Sequence, residues 1–462
     1  MVTSGRRESA ILLAFTLLCI TTTVTAADWT RFRGPNGSGV SEDTAPVPTT
    51  WSATENMKWK VALPGPGSSS PIIVGDRIFV TCWSGYGVDR GNPGDQKELR
   101  RHLICLDRNS GKTIWSKAVE PVLPEDNYGG MFAEHGYASH TPVSDGERVY
   151  VYFGKSGALA FDMDGNQLWQ TKVGTESDRR GWGSASSPIL YKDTVIVTAS
   201  AESQAVVALD KATGKEVWRQ EAAGLGSTWG TPVMVKVDDE RTDLVLGVPY
   251  EFWGFNPDDG KLRWYCEVMS TDSYCSSVVA DDAVVYGIEG MGGGSIAVRA
   301  GGKGNVTESH VVWSGRDSNR IGTPVIYEGR IYFFSRGFAN CIEAKTGKEV
   351  FKSRLERASG GSQSRSGGDQ GGAGGGQGRR GGGFGGGGFG GGDYASPVIA
   401  NGKIYYTSRS GDMFVLRASD KFEQLATNRV TSESEDFSAT PAVSDGQLFI
   451  RSSKHLYCVA SP

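Results

Sequence analysis

The stretch TGKEVW at Thr213–Trp218 returns as TGKEVF at Thr346–Phe351, 133 residues further on, with only the final aromatic changed. A second signature brackets it: Ser or Thr, then Pro, then an apolar pair. It stands at Ser70-Pro71, Thr141-Pro142, Ser187-Pro188, Thr231-Pro232, Thr323-Pro324, Ser396-Pro397 and Thr440-Pro441. The spacings are 71, 46, 44, 92, 73 and 44, and the midpoint of the 92 is Val278, where CSSVVADDAVVYG repeats the pattern with Val for Pro. Eight repeats of about 45 residues follow, a period in the range of propeller blades. The two long spacings are insertions, and the opening pair lies three repeats apart.

Within a repeat the pattern is that of four short strands. TPVIYEGRIYFFS (Thr323–Ser335) reads as two alternating strands around a Glu-Gly turn, and ANCIEAKTGKEVF (Ala339–Phe351) as two more around Thr-Gly-Lys. Gly supplies the positive φ of tight turns. The acid closing the third strand (Asp107, Asp162, Asp210, Glu343) is placed to accept turn amides. Pro fits the head of a strand, where no ladder donor is lost. Helical periodicity is absent, and the expectation is an all-β chain, an eight-bladed β-propeller of four-stranded antiparallel blades.

The fourth strand carries Trp115, Trp169, Trp218, Trp264, Trp313 and Phe351, with Leu425 expected in the seventh repeat. One large flat residue at one repeat position reads as a wedge between neighbouring blades. The eighth repeat ends as HLYCVASP (His455–Pro462), after its third strand. Its missing strand is NMKWKVAL (Asn56–Leu63), with Trp59 as the aromatic, so an N-terminal strand is expected to close the last blade and hide two open edges.

Repeats of this length ending Asp-x-x-Thr-Gly-Lys-x-x-Trp resemble the pyrrolo-quinoline-quinone-like (PQQ-like) repeat propellers, over residues 56–462. That family includes the outer-membrane assembly protein BamB and, more distantly, the quinoprotein alcohol dehydrogenases, both eight-bladed. DWTRFRGPNGSG (Asp28–Gly39) is similar to the N-terminal stretch of many exported bacterial members. In the dehydrogenases, the resemblance implies, a quinone stacks on a Trp beneath two adjacent bonded cysteines, beside a Ca²⁺ held by Glu, Asn and Asp. No two cysteines are adjacent here. Trp182 or Trp229 is placed to stack on a quinone, while the covering and metal groups have no counterparts residue by residue.

The chain has 462 residues and a formal net charge of −4, which offers no basic field for nucleic acid. Residues 1–26 read as a signal peptide: Arg6-Arg7, the apolar run Ala10–Ile20, then small residues before Ala27. Residues 27–55 are an N-terminal extension, and the mature chain is expected to be exported, periplasmic or extracellular, monomeric and without a membrane span. Of the six cysteines beyond residue 26, Cys105, Cys341 and Cys458 share one small buried repeat position and are expected as free thiols. Cys266 and Cys275 are open to bridging in an oxidising compartment.

The Gly-rich insert Ala358–Asp393 reads as a disordered loop. Longer loops at Gly85–Arg100 and Glu120–His140 are where binding usually sits. Glu134, His135 and His140 are close in sequence, but their spacing does not read as a metal site. Segments entering the innermost strands converge on the propeller axis. They nominate Tyr137, His140, Trp182, Trp229, Tyr274, Arg320 and Tyr394 as the lining of an axial mouth for a ligand or partner. No Ser-His-Asp, paired-carboxylate or phosphate-loop pattern can be placed. The functional expectation is a non-catalytic binding or scaffold propeller of the bacterial envelope, contacting other envelope proteins and needing no cofactor. The alternatives are a quinoprotein-type dehydrogenase, which would take PQQ with calcium, and a carbohydrate- or polymer-binding module.

Overall fold

In a computed structural model of the protein, the described residues are Met1, 28–35, 37–290, 292–358 and 394–461. The signal-peptide and Gly-rich-insert expectations fall outside them. The chain forms eight antiparallel sheets arranged as a closed propeller. Blade 3 shows the pattern: Ile189–Tyr191, Thr194–Ala199, Ala205–Asp210 and Glu216–Glu221, from axis to rim. The other blades open with Ile72–Val74, Val143–Ser144, Val233–Lys236, Val279–Asp281, Val325–Tyr327, Val398–Ala400 and Ala442–Ser444. Strands two and three are buried on both faces, so they read as runs of Val, Ile and Leu. Among the described residues no helix is long and apolar enough to cross a membrane.

The N-terminal strand closes the ring as expected. Met57–Ala62 pairs antiparallel with His455–Val459, with Trp59 opposite Cys458.

The recurrence of Gly with Trp has a physical cause. Five of the aromatics, Trp59, Trp115, Trp169, Trp218 and Trp313, seat on the turn glycine of the next blade. A methyl group on Gly111 would stand 2.7 Å from Trp59, on Gly165 2.7 Å from Trp115, on Gly260 2.4 Å from Trp218, and on Gly347 2.6 Å from Trp313. The same indoles donate Nε1–H into the next blade: Trp59 to Arg108 O, Trp115 to Met163 O, Trp169 to Lys211 O, Trp218 to Pro257 O and Trp313 to Ala344 O, at 2.8–3.1 Å. Phe351 has no N–H and packs against Phe422 instead. Trp264 differs. Its indole donates to Asp243 Oδ2 at 2.7 Å in its own blade, and the excursion of blade 5 adds a short strand, Gly304–Asn305, parallel beside it. In blade 7 the slot opposite Val415 holds Ala426, which corrects the expectation of Leu425.

Opposite each aromatic sits a residue too small to push it away. Cys105 faces Trp115, Ala160 Trp169, Ala208 Trp218, Gly254 Trp264, Ala297 Trp313 and Cys341 Phe351, each beside a register shift. The turn itself is held by its acid. Asp210 Oδ1 accepts Thr213 N–H at 2.8 Å and Thr213 Oγ1–H at 2.7 Å, and Gly214 takes φ +70°. Those bonds from Thr213 hold the Asp210 carboxyl below its usual pKa.

The Ser/Thr-Pro signature stitches the axis. The amide of Ser70 donates to Thr141 Oγ1, Thr141 to Ser187 Oγ, Ser187 to Thr231 Oγ1, and Thr231 to Ser277 Oγ. The series continues through Ser277 to Thr323 Oγ1, Thr323 to Ser396 Oγ, and Ser396 to Thr440 Oγ1, all between 2.9 and 3.1 Å. A buried amide at the blade head is thereby satisfied by its neighbour's hydroxyl, about 1 kcal/mol per link. Pro or Val follows because the next residue needs no donor there.

Residues 28–35 and 37–47 run along the end of the axial channel away from these blade heads. Trp29 pairs with Ile73 of blade 1, Thr30 O accepts from Ser144 of blade 2, and Val40 bridges Ile399 of blade 7. Trp29 is buried and Asp43 Oδ2 accepts from Gly446 N in blade 8.

Candidate functional site

At the blade-head end the connecting loops meet around two indoles. The loop 172–188 carries Trp182, and the loop 222–232 carries Trp229; their ring centroids are 5.0 Å apart, tilted 37°. Trp229 is buried and fixed by Nε1–H to Gly183 O at 2.7 Å and by its amide to Tyr274 O at 2.8 Å. Trp182 is half-buried. Its amide donates to Asp178 Oδ2 at 3.1 Å, and its carbonyl accepts from His135 Nε2 at 2.7 Å. That bond places the ring proton of neutral His135 on Nε2, and burial keeps the ring's pKa low. Burial also raises the Asp178 carboxyl, which its amide bonds from Trp182 and Arg180 partly offset.

Two guanidinium groups lie over the Trp182 ring, Arg180 at 5.3 Å and Arg320 at 5.7 Å from its centroid. Arg180 is held by Asp272 at 2.8 Å and by Ser227 Oγ at 3.1 Å. Across the mouth, Arg409 stands 4.8 Å over the Tyr394 ring. It bonds Glu134 at 2.6 Å and also pairs with Asp436, while Arg90 reaches Glu134 from outside at 3.2 Å. Burial raises the Tyr394 hydroxyl to about 12, with Arg409, Glu134, Arg320 and Cys275 all close enough to act on it. The mouth is therefore an aromatic floor ringed by arginines, several of them already neutralised by acids.

Behind the ring sits Glu289, fully buried. Its Oε2 accepts the amides of Cys275 at 3.0 Å and Ser276 at 3.4 Å, and Oε1 that of Gly290 at 2.9 Å. Burial raises its pKa to about 7, against the pull of those amides and of Arg320. Both oxygens are occupied, so Glu289 positions the Cys275–Ser276 backbone. Burial, followed by the Glu289 charge, raises the Cys275 thiol well above its usual pKa. Glu289, Arg180, Arg409 and Asp178 were not legible as site residues, because each lies at a different repeat offset.

The structure brings Trp182, Trp229, Arg320 and Tyr394 to this mouth. His140 lies deeper: it is buried, its Nε2 meets Ser184 Oγ at 3.2 Å, and burial with His135 and Arg101 nearby takes its pKa to about 3. Tyr137 is buried in a satellite cluster with Trp83, Tyr86, Leu99, Phe132 and Ala138 that anchors the two long loops of blade 1. Tyr274 is fully buried against Gly247, Gly287 and Phe252. Those loops are braced by a buried Arg101–Glu125 pair with both oxygens engaged at 2.8 Å. All six described cysteines are free thiols, Cys266 and Cys275 included. Among the described residues no three His, Cys, Asp or Glu converge as a metal site would, and Glu134, His135 and His140 do not form one.

Comparison with known proteins gives three findings. A family model described as outer membrane protein assembly factor BamB matches residues 96–205 and 196–370. Two curated relatives named polyvinylalcohol dehydrogenase match: that of Sphingopyxis sp. (strain 113P3) is 24% identical over 267 residues, 47% of this chain and 36% of the relative. The Pseudomonas sp. protein is 22% identical over 270 residues, 47% of this chain and 37% of its own. The matched stretch thus spans little more than a third of those relatives. Among solved structures, BamB from Moraxella catarrhalis superposes with TM-score 0.56 at 11% identity, covering 87% of this chain and 96% of that one. A europium-containing methanol dehydrogenase gives 0.59 at 11%, covering 92% of this chain and 89% of that one. The quinohemoprotein alcohol dehydrogenase from Comamonas testosteroni gives 0.56 at 11%, covering 94% and 81%. At such identities these structures show the fold alone. The expectation of a chain without catalytic activity is corrected here: the sequence relatives carry the name of a dehydrogenase, and the fold is shared as fully with dehydrogenases as with BamB.

Proposed function

The chain belongs to the PQQ-like propeller family whose model is described as outer membrane protein assembly factor BamB, and from that premise we propose that it is an exported envelope propeller whose axial mouth oxidises the hydroxyl groups of an alcohol or hydroxylated polymer. The observation that carries this reading is Trp182, an indole backed by Trp229 and overlaid by the guanidinium groups of Arg180 and Arg320. A flat ring bearing carboxylates matches that surface in shape and charge. Two groups come with the quinoprotein resemblance, and the residues treat them differently. A tricarboxylated quinone fits once Arg180 and Arg320 leave the Trp182 face to meet its carboxylates, with the indole as its plate; when bound it would supply the two-electron acceptor. Calcium does not fit, since no acidic trio converges among the described residues and both Glu289 oxygens are engaged by amides.

The remaining roles belong to the chain itself. His135 and Asp178 fix the loop that presents Trp182. Glu134 and Asp436 hold Arg409 on the far wall, leaving hydroxyl-bearing substrate to be ordered by Tyr394 and the arginine rim. The test is dye reduction by the purified protein with the quinone and polyvinyl alcohol or a short secondary alcohol. Substrate-dependent turnover that disappears in Trp182→Ala supports the reading; no turnover with any alcohol, with the quinone demonstrably bound, counts against it.

A second reading, protein contact in the envelope, is favoured by a separate observation. Ile114, Leu168, Val217 and Val312 are exposed, and each immediately precedes the aromatic of an outermost strand. An exposed strand edge carrying an apolar residue is a template for strand addition. Crosslinking in envelope preparations with a photoreactive residue at position 217 tests it. A discrete adduct, lost when Val217 and Leu168 are both changed to Lys, supports this reading, and its absence removes the support.

A further inference from the structure

We propose that the channel end reached by residues 30–35 and 37–39, away from the mouth, is a binding site for a small oxyanion, held between Arg31 and Arg33. Thr30 is tied to blade 2 and Gly39 to blade 7, which sets Arg31 and Arg33 at the turn end of the innermost strands. Arg33 is only 1% exposed. It spends one donor, Nη2, on Ser38 O at 2.8 Å. Its Nε and Nη1, and the Nε of Arg31, are buried without a hydrogen-bond partner. Neither guanidinium is among the ion pairs of the described residues.

The surrounding backbone is shaped to admit both side chains. Gly37 and Gly39 have φ of +71° and +79°, and a methyl group on Gly39 would stand 2.6 Å from Arg33 Nη2, one on Gly37 3.1 Å from Arg31 Nη2. Burial first, then the charge of Arg31, brings the Arg33 pKa down to about 9, and burial brings Arg31 to about 10. A buried charge without a counter-ion is strongly destabilising, and two together are worse. A phosphate, sulfate or carboxylate between them meets the empty donors and cancels the repulsion, and it matches the planar fork of guanidinium. Arg31 is half-buried, which leaves a way in from solvent.

The experiment titrates the purified full protein, dialysed into a low-salt zwitterionic buffer, with inorganic phosphate, sulfate or acetate at constant ionic strength. Calorimetry reads binding and thermal unfolding reads Tm. One saturable oxyanion site and a rising Tm are expected, with chloride ineffective; the order of affinity among the three anions identifies the preferred class. Arg33→Gln is expected to abolish the binding and, without anion, to unfold at a higher temperature than the wild type, because it removes an uncompensated charge. Arg31→Gln, at the more open position, is expected to fold and to bind at least about tenfold more weakly. An unchanged Tm across all three anions would overturn the proposal. So would unaltered phosphate affinity in Arg31→Gln, which can be read even if Arg33→Gln fails to fold.

Discussion

The seat of a blade's Trp on the next blade's glycine makes a quantitative prediction at Trp218 and Gly260. Trp218 is 8% exposed, donates to Pro257 O at 3.0 Å and lies where a methyl on Gly260 would be 2.4 Å away. Removing a buried aromatic costs about 3–5 kcal/mol through lost contacts and a cavity. The orphaned Pro257 carbonyl adds about 1 kcal/mol. Gly260→Ala costs roughly 1–3 kcal/mol as overpacking, and roughly 1 kcal/mol more because Gly260 has φ +72°. Once Trp218 is gone the methyl has space, and only the backbone strain remains. The double variant should therefore fall short of the sum of the single variants by about 1–3 kcal/mol. Trp218→Phe, which copies the natural Phe351 slot, should cost less than Trp218→Ala. Urea unfolding followed by far-UV circular dichroism measures all four. Additivity within about 0.3 kcal/mol would refute the seating, because residues out of contact add to that tolerance.

Other outcomes follow from the same geometry. Burial raises the Glu289 carboxyl from 4.5 to about 7 in the folded state, which therefore holds its proton more tightly. Stability from this group is full below the unfolded value and is lost as pH rises to about 7, ~3 kcal/mol in all. Glu289→Gln should flatten that part of a pH–stability curve and be relatively more stable at pH 8; an unchanged slope between pH 5 and 7 would count against the buried carboxyl. Thr231→Val removes the acceptor for the Ser187 amide and should cost about 1–2 kcal/mol in urea unfolding, whereas Thr231→Ser should be near neutral. Deleting Asn56–Leu63 strips blade 8 of its outer strand and of the Trp59 wedge, and should lower the melting temperature of the whole ring. A melting curve unaltered by that deletion would contradict the closure.

The ring was legible because its signals are local and repeated. TGKEVW carries the turn acid's partner, the glycine seat and the aromatic in one stretch, and the Ser/Thr-Pro steps count blades directly. Their reason was less legible. The hydroxyl answers an amide in the neighbouring blade, about 45 residues away, a contact no single repeat displays. Trp264 shares the repeat position but turns to Asp243, because the excursion at 300–310 replaces the usual glycine seat. At the mouth, Trp182 and Arg320 stood out in the loops, while Glu289, Arg180 and Arg409 did not, since irregular loops have no period to read. Tyr137 and Tyr274 share the lining's sequence position, yet both side chains are taken into apolar clusters. The functional class was the least legible, because the features weighed, paired cysteines over a quinone and the calcium ligands, come with the quinoprotein resemblance and not with the fold.

Whether the mouth receives a flat anionic ring is decided most directly by titrating the protein with pyrrolo-quinoline quinone and following tryptophan fluorescence, in wild type, Trp182→Ala and a double Arg180→Gln, Arg320→Gln variant. The expected result is saturable quenching at one equivalent, lost in Trp182→Ala and weakened about tenfold or more when the two arginines are neutralised, a change of roughly 1.4 kcal/mol or more. Saturable quenching of the same affinity in all three proteins would place the quinone elsewhere, and no saturation in the wild type would remove the mouth as a quinone site.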